Sequence, residues 1–273
     1  MMPHWRTLLR SGTFMSGMLI IGFWAGCAVF GRLVVPFDPF EDDILNTLGP
    51  PSAAHWFGTD QLGRDVFSRV IVGARDVLEV APLATLLGVV LGVMLGLVIG
   101  YFRGVVDDLI GRVIDAVLAL PLVIIALLAL TAIGVSSTTV VVVIGIIFAL
   151  LIARTVRAAV LSERELDYVA AAKLRNEPTI YILCVEILPN IIPPIVVEAT
   201  VRLGYAVFAV ATLSFLGFGI QPPSPDWGVA VSESYGLING GIWWPVLFNT
   251  LAIASLVIGV NLAADSIQGA FDA

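Results

Sequence analysis

Few residues in this 273-residue chain have a type and spacing that supports chemistry. His4 and His55 are the only histidines, and neither has a cysteine or carboxylate partner at metal-ligand spacing in the sequence. Cys27 and Cys184 are too few for a disulfide framework or a metal knuckle, and each sits in or beside an apolar stretch where a thiol acts as a small hydrophobe. The only lysine, Lys173, lies between Ala172 and Leu174, so the Gly-Lys-Ser/Thr phosphate-binding pattern is missing. No hydrolase, kinase or metal set is visible, so no catalytic residue, metal site or bound cofactor is expected. If the chain runs on ATP, another polypeptide must supply the ATPase. Two features remain. Glu198 and Arg202 stand four apart inside an apolar segment, where each charge costs ~3 kcal/mol at mid-bilayer and less when paired. They read equally as a pathway lining or as an internal ion pair. The second feature is a polar, alanine-rich loop over residues 157–189, whose chemistry is that of partner docking or of a plain surface helix.

Composition says what must hold these groups. Hydrophobic residues make up 59% of the chain and charged ones 13%, with mean hydropathy +1.00 and net charge −7. That excludes a soluble globular enzyme, a disordered chain and a nucleic-acid binder. Apolar stretches run over about 13–35, 80–101, 116–133, 140–160, 191–219 and 243–264. A span needs about 20 apolar residues, and backbone groups in lipid must be satisfied within the segment, so each stretch is expected to be a helix. The runs lack period-2 alternation, which excludes a membrane β-barrel. The expected class is therefore all-α, a polytopic membrane protein of six transmembrane helices. The first stretch exceeds a signal-peptide core, and Trp24 before Ala25-Gly26-Cys27 spoils a lipoprotein cleavage site, so this span is expected to stay.

Nine basic residues (Arg6, Arg10, Arg103, Arg112, Arg154, Arg157, Arg164, Lys173, Arg175) fall on one side of that layout and three (Arg64, Arg69, Arg75) on the other. The positive-inside rule places both termini in the cytoplasm. Segments then read as a cytoplasmic tail 1–12, a first helix 13–35, an outer loop 36–79, a five-helix core 80–264 that includes the inner loop 157–189, and a cytoplasmic tail 265–273. Most of the acidity faces outward, with residues 36–79 carrying a net −5. Within that loop Thr59-Asp60 reads as an N-cap before an amphipathic helix over 63–75, with Val66, Phe67, Val70, Ile71 and Ala74 on one face and Asp65, Ser68 and Arg69 on the other. It is expected to lie on the outer surface or over neighbouring spans. The last outer loop, 221–241, carries Pro222, Pro223 and Pro225 and is expected to be a rigid connection with at most a short helix.

Gly88, Gly92, Gly96, Gly100 and Gly104 recur every four residues, a small-residue stripe for close helix contact. Its partner is either another subunit or a helix of this chain. Pro121 and the group Pro189, Pro193 and Pro194 are expected to kink their helices. In the inner loop, Ser162-Glu163-Arg164-Glu165 fits a capping box. A short helix over 166–175 follows, with Ala170-Ala171-Ala172 at its centre; Asn176 and Pro178 end it, and a second helix over 179–188 leads to Pro189.

That loop resembles the "EAA" loop of ABC-importer permeases, whose pattern is Glu-Ala-Ala, Gly, then Ile-x-Leu-Pro. Aligned on Leu188-Pro189, Ala171 and Ala172 match, while Ala170, Asn176 and Glu186 replace the motif's Glu, Gly and Ile. Two longer stretches, His55 to Arg69 and Leu213 to Gly228, resemble the dipeptide/oligopeptide/nickel permease group, closest to its C-type subunit. The resemblance implies a type I ABC-importer permease fold in the bacterial plasma membrane. It implies a homologous B-type permease that completes the pathway, one or two cytoplasmic ABC ATPase subunits holding ATP and Mg, and an extracytoplasmic substrate-binding protein. It assigns an ATPase-coupling helix to 167–175, with Asp167, Tyr168, Ala170, Ala171, Ala172, Lys173 and Arg175 on it and Asn176 and Pro189 after it. The substrates implied are di- or oligopeptides; nickel complexes, haem and an ion-coupled secondary transporter are the alternatives.

Overall fold

The computed structural model describes Leu8 and residues 11–272. Residues 1–7, with Arg6 and His4 among them, and Arg10 lie outside the described residues, as does most of the expected tail 1–12. The described chain is helix, turn and loop, with one isolated bridge, Thr59 to Asp65. Its helices are α1 (Gly12–Val34), α2 (Val66–Phe102), α3 (Val105–Leu118), α4 (Leu122–Ile133), α5 (Ser137–Glu163), α6 (Asp167–Leu174), α7 (Ile192–Phe215), α8 (Trp227–Ser234) and α9 (Trp244–Asp272). Four of these, α1, α2, α5 and α9, are long and apolar enough to cross a membrane, as is the run Thr179–Phe215 that contains α7. The pair α3 and α4, bent by 91°, meets the same length and hydropathy test only when the two are counted as one broken span, which makes five or six candidate spans. The chain is thus an all-α, multi-pass membrane protein.

Two expectations about the spans are corrected. The helix over 63–75 and the span over 80–101 are one helix, α2, 37 residues long. At 1.5 Å per residue it measures about 55 Å, well beyond a hydrocarbon core of about 30 Å. Its first turns therefore project into the loop that precedes it. Pro82 lies inside without ending it, because packing over the helix's whole length outweighs one lost hydrogen bond. The third stretch is not a single rod. Pro121 has no N–H for the carbonyl of Val117, which instead accepts from Leu120 at 3.3 Å, and the chain turns before α4 starts. At the C-terminus, the expected tail 265–273 is helical as far as Asp272.

Packing centres on α2. Its C-terminal two-thirds lie against α5, and it also touches α1, α7 and α9. The glycine stripe makes the α5 contact possible. A Cβ at Gly88 would meet Phe148 Cβ at 2.9 Å, at Gly92 Ile152 Cβ at 2.7 Å, at Gly96 Val156 Cβ at 2.6 Å and at Gly100 Val160 Cβ at 2.7 Å. The stripe faces a helix of this chain, so the reading of it as a contact to another subunit does not hold. Gly104 is no part of it: it caps α3 with φ 64° and has open space around it.

Loops at the two ends differ. At one end, residues 35–65 and 216–243 pack together over the bundle. Trp227 is fully buried and donates its indole N–H to the Val70 carbonyl at 2.8 Å, and Trp244 donates to the Thr59 carbonyl at 3.0 Å. The connection 221–241 holds more helix than expected, α8 followed by a 3-10 turn Tyr235–Gly240. At the other end lie α3, the C-terminal turns of α2 and α5, and the loop that carries α6.

Candidate functional site

The loop between α5 and α7 starts later than the sequence suggests. Ser162 and Glu163 belong to the last turn of α5, held because Val160 packs on Gly100. The capping box therefore does not form, and α6 starts after Leu166, which is extended (φ −77°, ψ 152°) and gives no side-chain cap. The end of α6 follows expectation: Asn176 has φ 58°, a left-handed residue in the place that favours glycine or asparagine. Beyond Pro178 the second helix forms as expected and runs on into α7, opening with one α turn, Thr179–Tyr181. It widens into a π turn, Ile182–Ile187, then tightens into a 3-10 turn, Leu188–Ile191, around Pro189. A proline that cannot donate forces such a change of pitch.

One face of α6 is fastened to the bundle. Val169 and Ala172 are fully buried, so Ala172 belongs to the core and only Ala170 and Ala171 of the alanine run face outward. Tyr168, which the resemblance puts on the coupling helix, is held within the chain. Its hydroxyl donates to Glu163 Oε2 at 2.6 Å and accepts from Asn190 Nδ2 at 3.2 Å. Burial and the Glu163 carboxylate push the Tyr168 phenol up to about 12. Arg164 donates to the carbonyls of Gly100 and Tyr101, groups that the end of α2 leaves unpaired. The Tyr101 ring sits beneath two cations, Lys173 Nζ at 5.6 Å and Arg164 Cζ at 5.8 Å. Arg175 reaches Glu186 at 3.0 Å and ties the end of α6 to the π turn. The other face is open: Asp167, Ala170, Ala171, Lys173, Arg175 and Asn176 are exposed, and Leu174 is 84% exposed. The bracing residues Glu163, Arg164 and Tyr101 carry no sequence signal, since their roles depend on the end of α2 meeting the end of α5.

Glu198 and Arg202 stand together on α7. Arg202 Nε donates to Glu198 Oε1 at 2.7 Å, and Nη2 donates to the same oxygen at 2.5 Å. The Arg202 guanidinium also covers the Tyr205 ring at 5.5 Å. The Arg202 side chain is 20% exposed and that of Glu198 15%. They and Tyr205 share the side of α7 away from Gly204, Val207 and Val210, which pack into the bundle.

At the opposite end, the expected N-cap pair Thr59-Asp60 has another task. Thr59 Oγ1 accepts from Gly49 N at 2.7 Å, and Asp60 takes the N–H of Leu62 and Arg64 as well as Arg64 Nε. The true cap of α2 is Asp65, which accepts from both the backbone N–H and the hydroxyl of Ser68. The presumed polar face of this helix is not solvated. Arg69 is 2% exposed, donates to the carbonyls of Pro39 and Ser224 and lies 3.5 Å from Asp60. His55, with no carboxylate near it in sequence spacing, meets Asp65 at 3.0 Å. Asp226 caps α8 through Val229 N at 2.9 Å and is fully buried, and burial pushes its carboxyl up to about 6. Among the described residues no group of three or more His, Cys, Asp or Glu is placed to hold a metal ion.

A family model described as "Binding-protein-dependent transport system inner membrane component" matches residues 88–273. A dipeptide transport system permease protein of Alkalihalophilus pseudofirmus is 36% identical over 94% of this chain and 84% of its own length. One from Bacillus subtilis is 35% identical over 98% of this chain and 84% of its own. A di/tripeptide transport system permease protein of Pseudomonas aeruginosa is 34% identical over 98% and 90%.

Proposed function

The chain belongs to the family of binding-protein-dependent transport system inner membrane components, and from that premise we propose that it is the C-type permease subunit of an ATP-driven importer of short peptides. It lines half of a pathway whose other half is a homologous B-type permease. Two ATP-binding subunits, or one fused chain with both sites, sit on the α6 end, and a soluble binding protein delivers substrate to the opposite end. The chain itself neither binds nor hydrolyses ATP. In this arrangement both termini and the α6 loop are cytoplasmic, in a bacterial plasma membrane, and the acidic loop 36–65 faces outward.

One observation carries the reading: α6 is a short helix braced on one face and bare on the other. Bracing through Val169, Ala172, Tyr168 and Arg164 lets a push on α6 reach the ends of α2 and α5 as a rigid-body movement. The bare face offers two alanines and an exposed leucine, with Asp167 and the cations Lys173 and Arg175, which Tyr101 and Glu186 hold, along its edge, which suits a close-fitting groove. Substrate class comes from the relatives, whose names specify dipeptides and di/tripeptides.

Uptake of a radiolabelled dipeptide into proteoliposomes holding the complete transporter tests this. Uptake should need internal ATP and the binding protein, and this chain alone should show no ATPase activity. Import driven by an ion gradient with the ATP-binding subunits omitted would overturn the proposal.

A further inference from the structure

We infer that the Glu198–Arg202 pair is a transient receptor for the two charged ends of a peptide, Arg202 for the carboxylate and Glu198 for the ammonium; this rests on the peptide-importer reading above. Four observations lead there. The pair is incomplete. Both guanidinium donors go to Glu198 Oε1, so Glu198 Oε2 and Arg202 Nη1 hold no hydrogen bond among the described residues. A planar guanidinium matches a carboxylate two-to-two, and Nη1 is the free half of that fork.

The pair also reaches the outer side of α7, with 20% of the Arg202 side chain and 15% of the Glu198 side chain exposed. Along the same side of α7 come Tyr205, 58% exposed, and Phe208, 59% exposed, with Thr212 between them and the helix end. Charges on a span are stable against water or protein, not lipid. A stripe that mixes an ion pair, a phenol and a hydroxyl therefore belongs beside an aqueous route. Spacing fits as well. Positions 198 and 202 are about 6 Å apart along the helix, and an extended dipeptide spans about 7 Å.

Charge balance completes the argument. Glu198 and Arg202 sum to zero, and so does a zwitterionic peptide, so exchange of one pairing for the other adds no net charge to the membrane interior. Because each end of the peptide must displace an existing partner, the site holds its ligand weakly, as a point of passage requires. The adjacent ring of Tyr205 offers an apolar surface for the peptide's side chains.

The complete transporter in proteoliposomes, supplied with dialanine, dialanine amide and N-acetyl-dialanine in turn, provides the test. Affinities of the binding protein for each compound are measured separately and divided out. Arg202→Gln should erase a preference of tenfold or more for the free carboxylate over the amide and leave discrimination against the acetylated end intact. Glu198→Gln should do the reverse, and Arg202→Lys should retain most of the carboxylate preference. Variants that keep both preferences overturn the site, and so do variants that lose all three uptakes equally or fail to co-purify with the second permease, since those losses mark a packing or subunit contact. Wild-type transporter that imports none of the three refutes the peptide reading instead, and the site with it.

Discussion

Replacement of Gly96 by alanine tests the packing on which the bundle rests. The added methyl would lie 2.6 Å from Val156 Cβ and 2.8 Å from the Ala153 carbonyl, where ordinary contact begins at 3.4 Å. Neither neighbour is the end of a flexible side chain, so α2 and α5 must move apart locally. Overpacking of this kind costs about 1–3 kcal/mol, and alanine's better helix propensity returns up to about 1 kcal/mol. A net loss of ~1–2 kcal/mol corresponds to a fall of about 2–8 °C in Tm for a chain of this size. Thermal unfolding of the detergent-purified chain, followed by size-exclusion fluorescence, reads it. Gly111→Ala is the control: open space surrounds Gly111 on α3, and the change should leave Tm equal or raise it. If Gly96→Ala is as stable as wild type while the control behaves as stated, α2 and α5 are not in the contact described. A destabilisation seen only with a second permease present would mean that the stripe faces that subunit.

Four further outcomes follow from single positions. Ala171→Arg, on the bare face of α6, should change stability by less than about 0.5 kcal/mol yet abolish ATP-driven uptake. Ala172→Leu, at a fully buried site, should instead lower Tm by overpacking, both read from one preparation by unfolding and uptake. Asp226 has a carboxyl raised by burial from its ordinary 3.8 to about 6. The folded state therefore binds the proton more tightly than the unfolded one. Its stabilising contribution is full below pH 4, falls as pH rises to 6 and is gone above, a span of ~3 kcal/mol. Asp226→Asn retains an N-cap acceptor, so its Tm relative to wild type should climb between pH 4 and 7 and level off beyond; a flat difference would contradict the assignment. Arg69→Met should leave the Pro39 and Ser224 carbonyls without their donor and Asp60 with Arg64 as its one remaining cation, with a loss of about 2 kcal/mol and faster proteolysis within residues 36–65.

Apolar run length revealed the spans, because a lipid environment leaves so few solutions for a backbone. It did not reveal direction. The run across Pro121 is unbroken in hydropathy, yet the missing N–H turns it by 91°. Nor did it reveal that α2 starts at Val66: Arg69, Asp76 and Pro82 look like a boundary, and only tertiary partners such as Pro39 and Ser224 make a buried helix there tolerable. The glycine stripe was legible as a contact, but its partner was not, since spacing of four says only that a helix comes close. Asn176 was readable because its left-handed turn is local chemistry. Tyr168 was not. Whether it points to a partner or to Glu163 and Asn190 depends on how the far side of the loop folds back. Local rules located the pieces of the site, and long-range packing decided which faces were left bare.

In the proposed transporter the bare face of α6 lies in the cytoplasm against an ATP-binding subunit. With Cys27 and Cys184 replaced by serine, Ala171→Cys in the assembled transporter would be labelled with a maleimide-linked benzophenone and illuminated, with and without ATP. A cross-link to the ATP-binding subunit is expected, with a yield that changes with nucleotide. A cross-link to the binding protein instead, or none to the ATP-binding subunit in a complex that still imports peptide, would contradict it.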